Sequence, residues 1–196
     1  MSHGGSSTET EIKLRVRDAT EGRRLLRSAG FHVVSRRVFE SNVLYDTPSG
    51  TLRSQKTLLR IRKSGSHAIL TYKSPPVGGK YKSREEIETK VNDPEALREI
   101  LTRLGYQGLF RYEKYRTVYQ GGDHSGVATL DETPVGAFLE LEGEPAWIDA
   151  TAECLGFSES DYIKRSYYFL YVEYCKLRGE APSHMIFDSE SAPWPR

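Results

Sequence analysis

Thr8-Glu9-Thr10-Glu11-Ile12-Lys13-Leu14-Arg15-Val16-Arg17 is the stretch that decides how the rest of the chain folds. Side chains of a β-strand alternate faces, so residues two apart share a side. Read as a strand, this segment puts Glu9, Glu11, Lys13, Arg15 and Arg17 on one face and Thr10, Ile12, Leu14 and Val16 on the other. The apolar face must pack against something such as a helix. The charged face cannot lie in an ordinary core.

The same division returns along the chain. Arg60 and Arg62 oppose Leu59 and Ile61; Arg84, Glu86 and Glu88 oppose Ile87; Glu140 and Glu142 oppose Leu139 and Leu141; Lys114 and Arg116 flank Tyr115. Alternating segments bounded by Gly, Pro, Asp or Asn predict strands over Thr8 to Arg17, His32 to Tyr45, Thr51 to Lys63, His67 to Lys73, Tyr81 to Asn92, Gly108 to Gln120, Gly126 to Asp131 and Ala137 to Glu142. Helices punctuate them. Asp18 with Glu21 makes a capping-box pattern that Gly30 ends, with Leu25, Leu26 and Ala29 inward. Asp93, Pro94 and Gly105 bracket a second helix. A third is expected over Ile148 to Leu155 and a fourth, rich in Tyr and Phe, over Ser158 to Leu177.

Composition narrows the functional classes. A chain of 196 residues is within the range of one domain. Its net charge of +1 hides 28 basic and 27 acidic residues, and that balance argues against a nucleic-acid partner, which calls for an excess of basic charge. Five scattered histidines lack zinc-ligand spacing. Cys154 and Cys175 fall in expected helices, as buried free thiols. The apolar runs are short and the polar start has no leader-like pattern, so no membrane association and a cytoplasmic location are expected. Residues 1–8 are expected to be flexible and residues 179–196, rich in Gly, Ser and Pro, to form a mobile tail.

A solvated sheet face would favour Thr, Ser and Lys; here Glu and Arg come in pairs two residues apart. If the sheet closes, these faces line an interior in which each charge must be paired, coordinated or hydrated. Arg and Lys suit phosphate oxygens, and grouped carboxylates suit a hard divalent cation. A metal-bound polyphosphate needs both.

Glu9-Thr10-Glu11-Ile12-Lys13 resembles the E-x-E-x-K opening of the CYTH, or triphosphate tunnel, superfamily, which joins class IV adenylate cyclases, thiamine triphosphatases and inorganic triphosphatases. Tyr45-Asp46-Thr47-Pro48, Leu59-Arg60-Ile61-Arg62, Leu70-Thr71-Tyr72-Lys73, Arg84-Glu85-Glu86-Ile87-Glu88, Lys114-Tyr115-Arg116, Leu130-Asp131 and Glu140-Leu141-Glu142 resemble further family blocks, in the family's order. The resemblance implies an α+β fold: a closed or nearly closed eight-stranded antiparallel β-barrel over residues 9–178, with helices packed outside. It implies Mg2+ or Mn2+ held by Glu9, Glu11, Glu140 and Glu142, with Asp131 as a further or supporting carboxylate. Lys13, Arg60, Arg62, Lys73, Arg84, Lys114 and Arg116 would bind a small-molecule triphosphate, with Glu9, Glu11, Lys13 and Lys73 as catalytic residues. Glu86 and Glu88 would orient cations or serve a second metal site.

Plainer roles suit other motifs. Asp46 and Pro48 read as turn residues. Pro75-Pro76-Val77-Gly78-Gly79-Lys80 lacks the Walker spacing and reads as a connection. Arg15 and Arg17 read as rim or solvent groups, and the aromatics from Tyr162 to Tyr174 as packing.

The resemblance does not settle the reaction; the first expectation is triphosphate hydrolysis releasing orthophosphate, the alternatives are cyclisation of ATP to cyclic AMP with pyrophosphate and a non-catalytic sensor, and an RNA 5′-triphosphatase or a carrier barrel is more remote. Thiamine triphosphatases have aromatic residues near the positions of Leu44 and Leu58, which argues against that specific substrate. A monomer and a homodimer both remain open.

Overall fold

A computed structural model of the chain describes residues 7–122 and 124–187. Its strands are β1 (Ser7–Val16), β2 (His32–Asp46), β3 (Leu58–Ser64), β4 (His67–Lys73), β5 (Lys82–Val91), β6 (Gln107–Gln120), β7 (Gly126–Thr133) and β8 (Gly136–Gly143). They close into an antiparallel barrel in the order β1-β5-β4-β3-β2-β6-β7-β8. Closure leaves no free sheet edge over the paired lengths. The helices are α1 (Ala19–Ser28), α2 (Thr51–Ser54), α3 (Pro94–Arg103), α4 (Pro145–Cys154) and α5 (Tyr167–Arg178).

The main hydrophobic cluster lies outside the barrel wall. Ile12, Leu14, Leu130, Leu139 and Leu141 turn outward from β1, β7 and β8 and are fully buried under Leu26 of α1 and Ile148 and Ala152 of α4. Each such side chain contributes about 1.5–3 kcal/mol by leaving water. Gly22 lets α1 approach, because a Cβ there would stand 2.7 Å from Leu130. A smaller cluster puts Leu101 and Leu97 of α3 over Tyr45 and Ile61. With apolar side chains committed outward, the alternating partners must face in.

Three local expectations need correction. Thr51 to Lys63 is not one strand: Gly50, at φ 73°, starts α2, whose Leu52 and Arg53 amides donate to the Asp46 carboxylate at 2.8 and 2.9 Å. Asp46 is therefore structural, as read, but it caps a helix too short to show a period. Nor is Ser158 to Leu177 one helix. A 3-10 turn at Glu159–Asp161 closes on its own capping box, Ile163 then pairs with β1, and α5 starts only at Tyr167. The third correction concerns Cys154, which is exposed while Cys175 is buried, because α4 turns Ile148, Thr151 and Ala152 inward instead.

Composition predicts a mobile tail after Arg178, but part of it docks. Met185 is fully buried among Phe110, Tyr112, Tyr167 and Leu170. Its N–H donates to the Arg111 carbonyl and its carbonyl accepts from Glu113, at 3.0 and 2.8 Å. This half of β6 precedes its pairing with β7 at Tyr115, so the tail covers an otherwise open edge. Residues 188–196 and 1–6, the remainder of the expected mobile ends, lie outside the described residues. No helix among the described residues is long and apolar enough to cross a membrane.

Candidate active site

Register fixes which charges meet. Directly opposed residues share a face, and the ladders oppose Glu9 to Arg84, Glu11 to Lys82 and Glu142, Lys13 to Glu140, Lys73 to Glu86 and Arg116 to Asp131. All of these point into the barrel, around a cavity of about 620 Å³. Glu9, Glu11, Lys13, Arg60, Arg62, Lys73, Arg84, Glu86, Glu88, Lys114, Arg116, Glu140 and Glu142 line that single cavity. Asp131 alone among the expected site residues does not border the cavity: it is fully buried beneath Lys114 and Arg116.

The charges form three groups. On the β1 side, Lys73 pairs with Glu9 and, at 3.2 Å, with Glu86; Glu11 accepts from Lys82 and, at 3.2 Å, from Lys13, which also reaches Glu140 at 3.2 Å. Across the barrel, Asp131 accepts from Lys114 Nζ, Arg116 Nε and Nη2, all at 2.7 Å, and from the Tyr167 hydroxyl at 2.8 Å; Arg116 also pairs with Glu140. Between them, Arg60 donates to the Tyr112 hydroxyl and to Thr71, each at 3.2 Å, and Arg62 Nε donates to Asn42 at 3.1 Å. Glu40 stands near both Arg62 and Lys114, at 3.6 and 3.7 Å.

Electrostatics follow from this pairing. Burial pushes the Glu11 carboxyl up, but Lys13 and Lys82 outweigh it and hold the group far below the usual carboxylate range. Glu140 is likewise held well down, by Lys13 and Arg116 against burial. Burial raises the carboxyl of Glu86 to about 7, Lys73 notwithstanding, helped by Glu9 and Glu88. The tunnel walls and then the charges of Glu9 and Glu11 raise Glu142 to about 7. Burial and the neighbouring Arg60 lower Arg62. Some buried polar atoms have no hydrogen-bond partner, among them Arg60 Nε, Arg84 Nε and Asn42 Nδ2. Such groups are costly unless something else meets them.

The donor set is made of oxygens, which suits a hard divalent cation. Among the described residues no three acidic, His or Cys side chains already converge on a metal position. The reason is visible: Glu9, Glu11 and Glu140 are each turned to a lysine or arginine. The unneutralised Glu142 beside Glu9 and Glu11 is the feature that fits a cation, which would relieve their mutual repulsion. Apolar and aromatic residues also line the cavity, among them Leu44, Leu52, Leu58, Phe110, Tyr168 and Phe169.

Several contributors escape a sequence reading. Lys82 has the parity of Arg84 and Glu86 but lies at the strand's first residue. Tyr112 shares the parity of Lys114 and Arg116, and Glu40 and Asn42 that of Leu44, so alternation does mark these three. Tyr167 carries no signal, because its role depends on where α5 begins.

Comparison with known proteins agrees with the fold. Residues 7–167 match the family described as the CYTH domain. A candidate adenylate cyclase of Methanocaldococcus jannaschii is 29% identical over 170 residues, covering 81% of this chain and 95% of that protein. A candidate adenylate cyclase structure from Vibrio parahaemolyticus superimposes with a TM-score of 0.71 at 22% identity, covering 85% of this chain and 98% of that one. A Hippeastrum protein, described as a candidate adenylyl cyclase with dominant triphosphatase activity, gives 0.61 at 20% identity, covering 91% and 98%.

Proposed function

The chain belongs to the CYTH domain family, and on that premise we propose that it is a divalent-metal-dependent phosphohydrolase that releases orthophosphate from a triphosphate held in the barrel. One observation carries the reading: arginines, lysines and four glutamates of β1 and β8 line the same cavity. A site for a lone anion would have no use for carboxylates that repel phosphate. A site for a metal alone would not need so many cations.

Arg62 and Arg84 are not hydrogen-bonded to a carboxylate among the described residues, which leaves their guanidinium donors for phosphate oxygens. Arg60, held by Tyr112 and Thr71, presents a fixed guanidinium for paired donation. Lys13, Lys73, Lys114 and Arg116 complete the triphosphate cradle. Glu9, Glu11, Glu140 and Glu142 would hold Mg2+ or Mn2+, which when bound neutralises phosphate charge and polarises phosphorus. Glu86 and Glu88 hold Lys73 and Arg60 in place. Asp131, its oxygens taken by Lys114, Arg116 and Tyr167, is assigned the support of those two cations rather than direct metal contact. Chemistry of this kind rests on positioning and on charge placed in advance.

A second reading, cyclisation of ATP, is favoured by the apolar and aromatic residues in the cavity lining, which suit a nucleoside. The cyclase name of the Methanocaldococcus relative agrees with it. Phosphorus NMR of the protein with tripolyphosphate and with ATP, in magnesium and then manganese, separates them. Orthophosphate is expected. Cyclic AMP with pyrophosphate would move the assignment to the cyclase, and binding without turnover would reject both enzymes in favour of a sensor.

A further inference from the structure

Asp149, on the outer surface of α4, is held by three donors. Its Oδ2 accepts from Lys80 Nζ at 2.7 Å and from the Tyr81 hydroxyl at 2.8 Å, and its Oδ1 from the Tyr162 hydroxyl at 2.9 Å. Glu159 adds a second contact to Lys80 at 3.3 Å, and Lys164 donates to the Gly79 carbonyl at 2.8 Å. None of this cluster except the flanking connection borders the cavity. Exposed ion pairs contribute little to global stability, so a reason for three donors must be sought in what they join.

They join two segments that run into the barrel wall at β1. Tyr81 precedes Lys82, whose ammonium pairs with Glu11. Tyr162 precedes Ile163, whose N–H and carbonyl pair with the backbone of Lys13 at 2.9 and 3.0 Å. The barrel has a seam here: β1 pairs with β5 only as far as Glu11 opposite Lys82, and beyond it Ile163 takes the place of the missing strand beside Lys13. Lys13 and Lys82 both donate to Glu11 Oε1. Lys82 thus arrives on one of the two tied segments, Lys13 of β1 is held by the backbone of the other, and one external carboxylate ties the two segments together.

We propose that Asp149 is a positioning residue that closes this seam and fixes Lys13 and Lys82 around Glu11, and so sets the geometry in which the tunnel holds its triphosphate. The consequence for turnover rests on the phosphohydrolase reading; the consequence for the seam does not. Small displacements of groups that orient a substrate cost rate heavily.

The test compares the full-length wild type with Asp149→Ala and Asp149→Glu. In Asp149→Ala, kcat for magnesium tripolyphosphate should fall on the order of tenfold, while the melting temperature stays close to wild type, and Asp149→Glu should recover part of the loss. Hydrogen exchange of the Lys13 amide, which donates to Ile163, should quicken in Asp149→Ala while amides of β7 and β8 do not change. An unchanged Lys13 amide, or a loss of kcat matched by general loss of stability with no recovery in Asp149→Glu, would overturn the proposal. Should the wild type neither bind nor cleave tripolyphosphate, the phosphohydrolase reading fails and the exchange of Lys13 still decides whether Asp149 closes the seam.

Discussion

Glu142 stands directly opposite Glu11 across the ladder between β1 and β8, yet among the described residues lysines donate to Glu11 and none is hydrogen-bonded to Glu142. The surrounding walls and the charges of Glu9 and Glu11 leave Glu142 with its carboxyl raised to about 7. A carboxyl that binds its proton more tightly folded than unfolded stabilises the fold at low pH and loses that contribution as pH rises through its folded pKa. Stability measured without metal should therefore decline from about pH 5 to pH 8, with Glu86 adding to the slope. Glu142→Gln should flatten this limb in thermal melts, and magnesium should flatten it in the wild type. An equal slope in both proteins would deny Glu142 its raised carboxyl. The opposite limb belongs to Glu11 and Glu140, whose lowered carboxyls lose their stabilising pairs as pH falls below the ordinary glutamate range.

Asp131 holds Lys114 and Arg116 where no water reaches it. Its removal takes from Lys114 its hydrogen-bonded carboxylate and leaves Arg116 with Glu140 alone, and breaking such a buried pair costs about 3–5 kcal/mol. Asp131→Ala should show a loss of that size in urea unfolding. A loss below about 1 kcal/mol, the range of exposed pairs, would mean that the cations find other partners.

Met185 fills the space between β6 and α5. Met185→Ala should destabilise by about 2–5 kcal/mol, whereas Ile186→Ala, at a side chain that is 42% exposed, should change little. Equal effects in the two variants would show that the tail does not dock as described.

Arg60 is fixed by Tyr112 and Thr71 and is only 6% exposed. Arg60→Ala should weaken tripolyphosphate binding by about 1.5–3 kcal/mol, the usual worth of a hydrogen bond to a charged group, and weaken orthophosphate binding less. Calorimetric titration with each anion checks this, and equal losses for both would place Arg60 outside the triphosphate cradle.

The barrel was legible because its strands carry opposite chemistry on their two faces. Ile12 and Leu14 had to go outward once Glu11 and Lys13 went in, and the same parity recovers Arg60, Arg84, Lys114 and Glu140. Alternation says which side a residue faces but not which partner it meets. That Glu11 would be shared by Lys13 and Lys82 depends on the β1–β5 register, set by long-range pairing. Helix patterns failed where context overrode them. Four residues of α2 are too few to show a period, and the aromatic run from Tyr162 to Tyr174 hid the change from extended chain at Ile163 to helix at Tyr167. The docked tail was missed because one buried Met185 hardly alters the composition of a polar segment.

On the proposed reading, the two signs of charge in the barrel serve one metal-bound triphosphate. Titration of the wild type and of Glu11→Gln with tripolyphosphate, with and without magnesium, tests it most directly. The wild type should bind tripolyphosphate far more tightly than orthophosphate and should cleave it only with magnesium, while Glu11→Gln keeps its fold and loses the metal-dependent cleavage. Wild-type affinity that does not distinguish the two anions, or cleavage that survives in Glu11→Gln, would contradict the account.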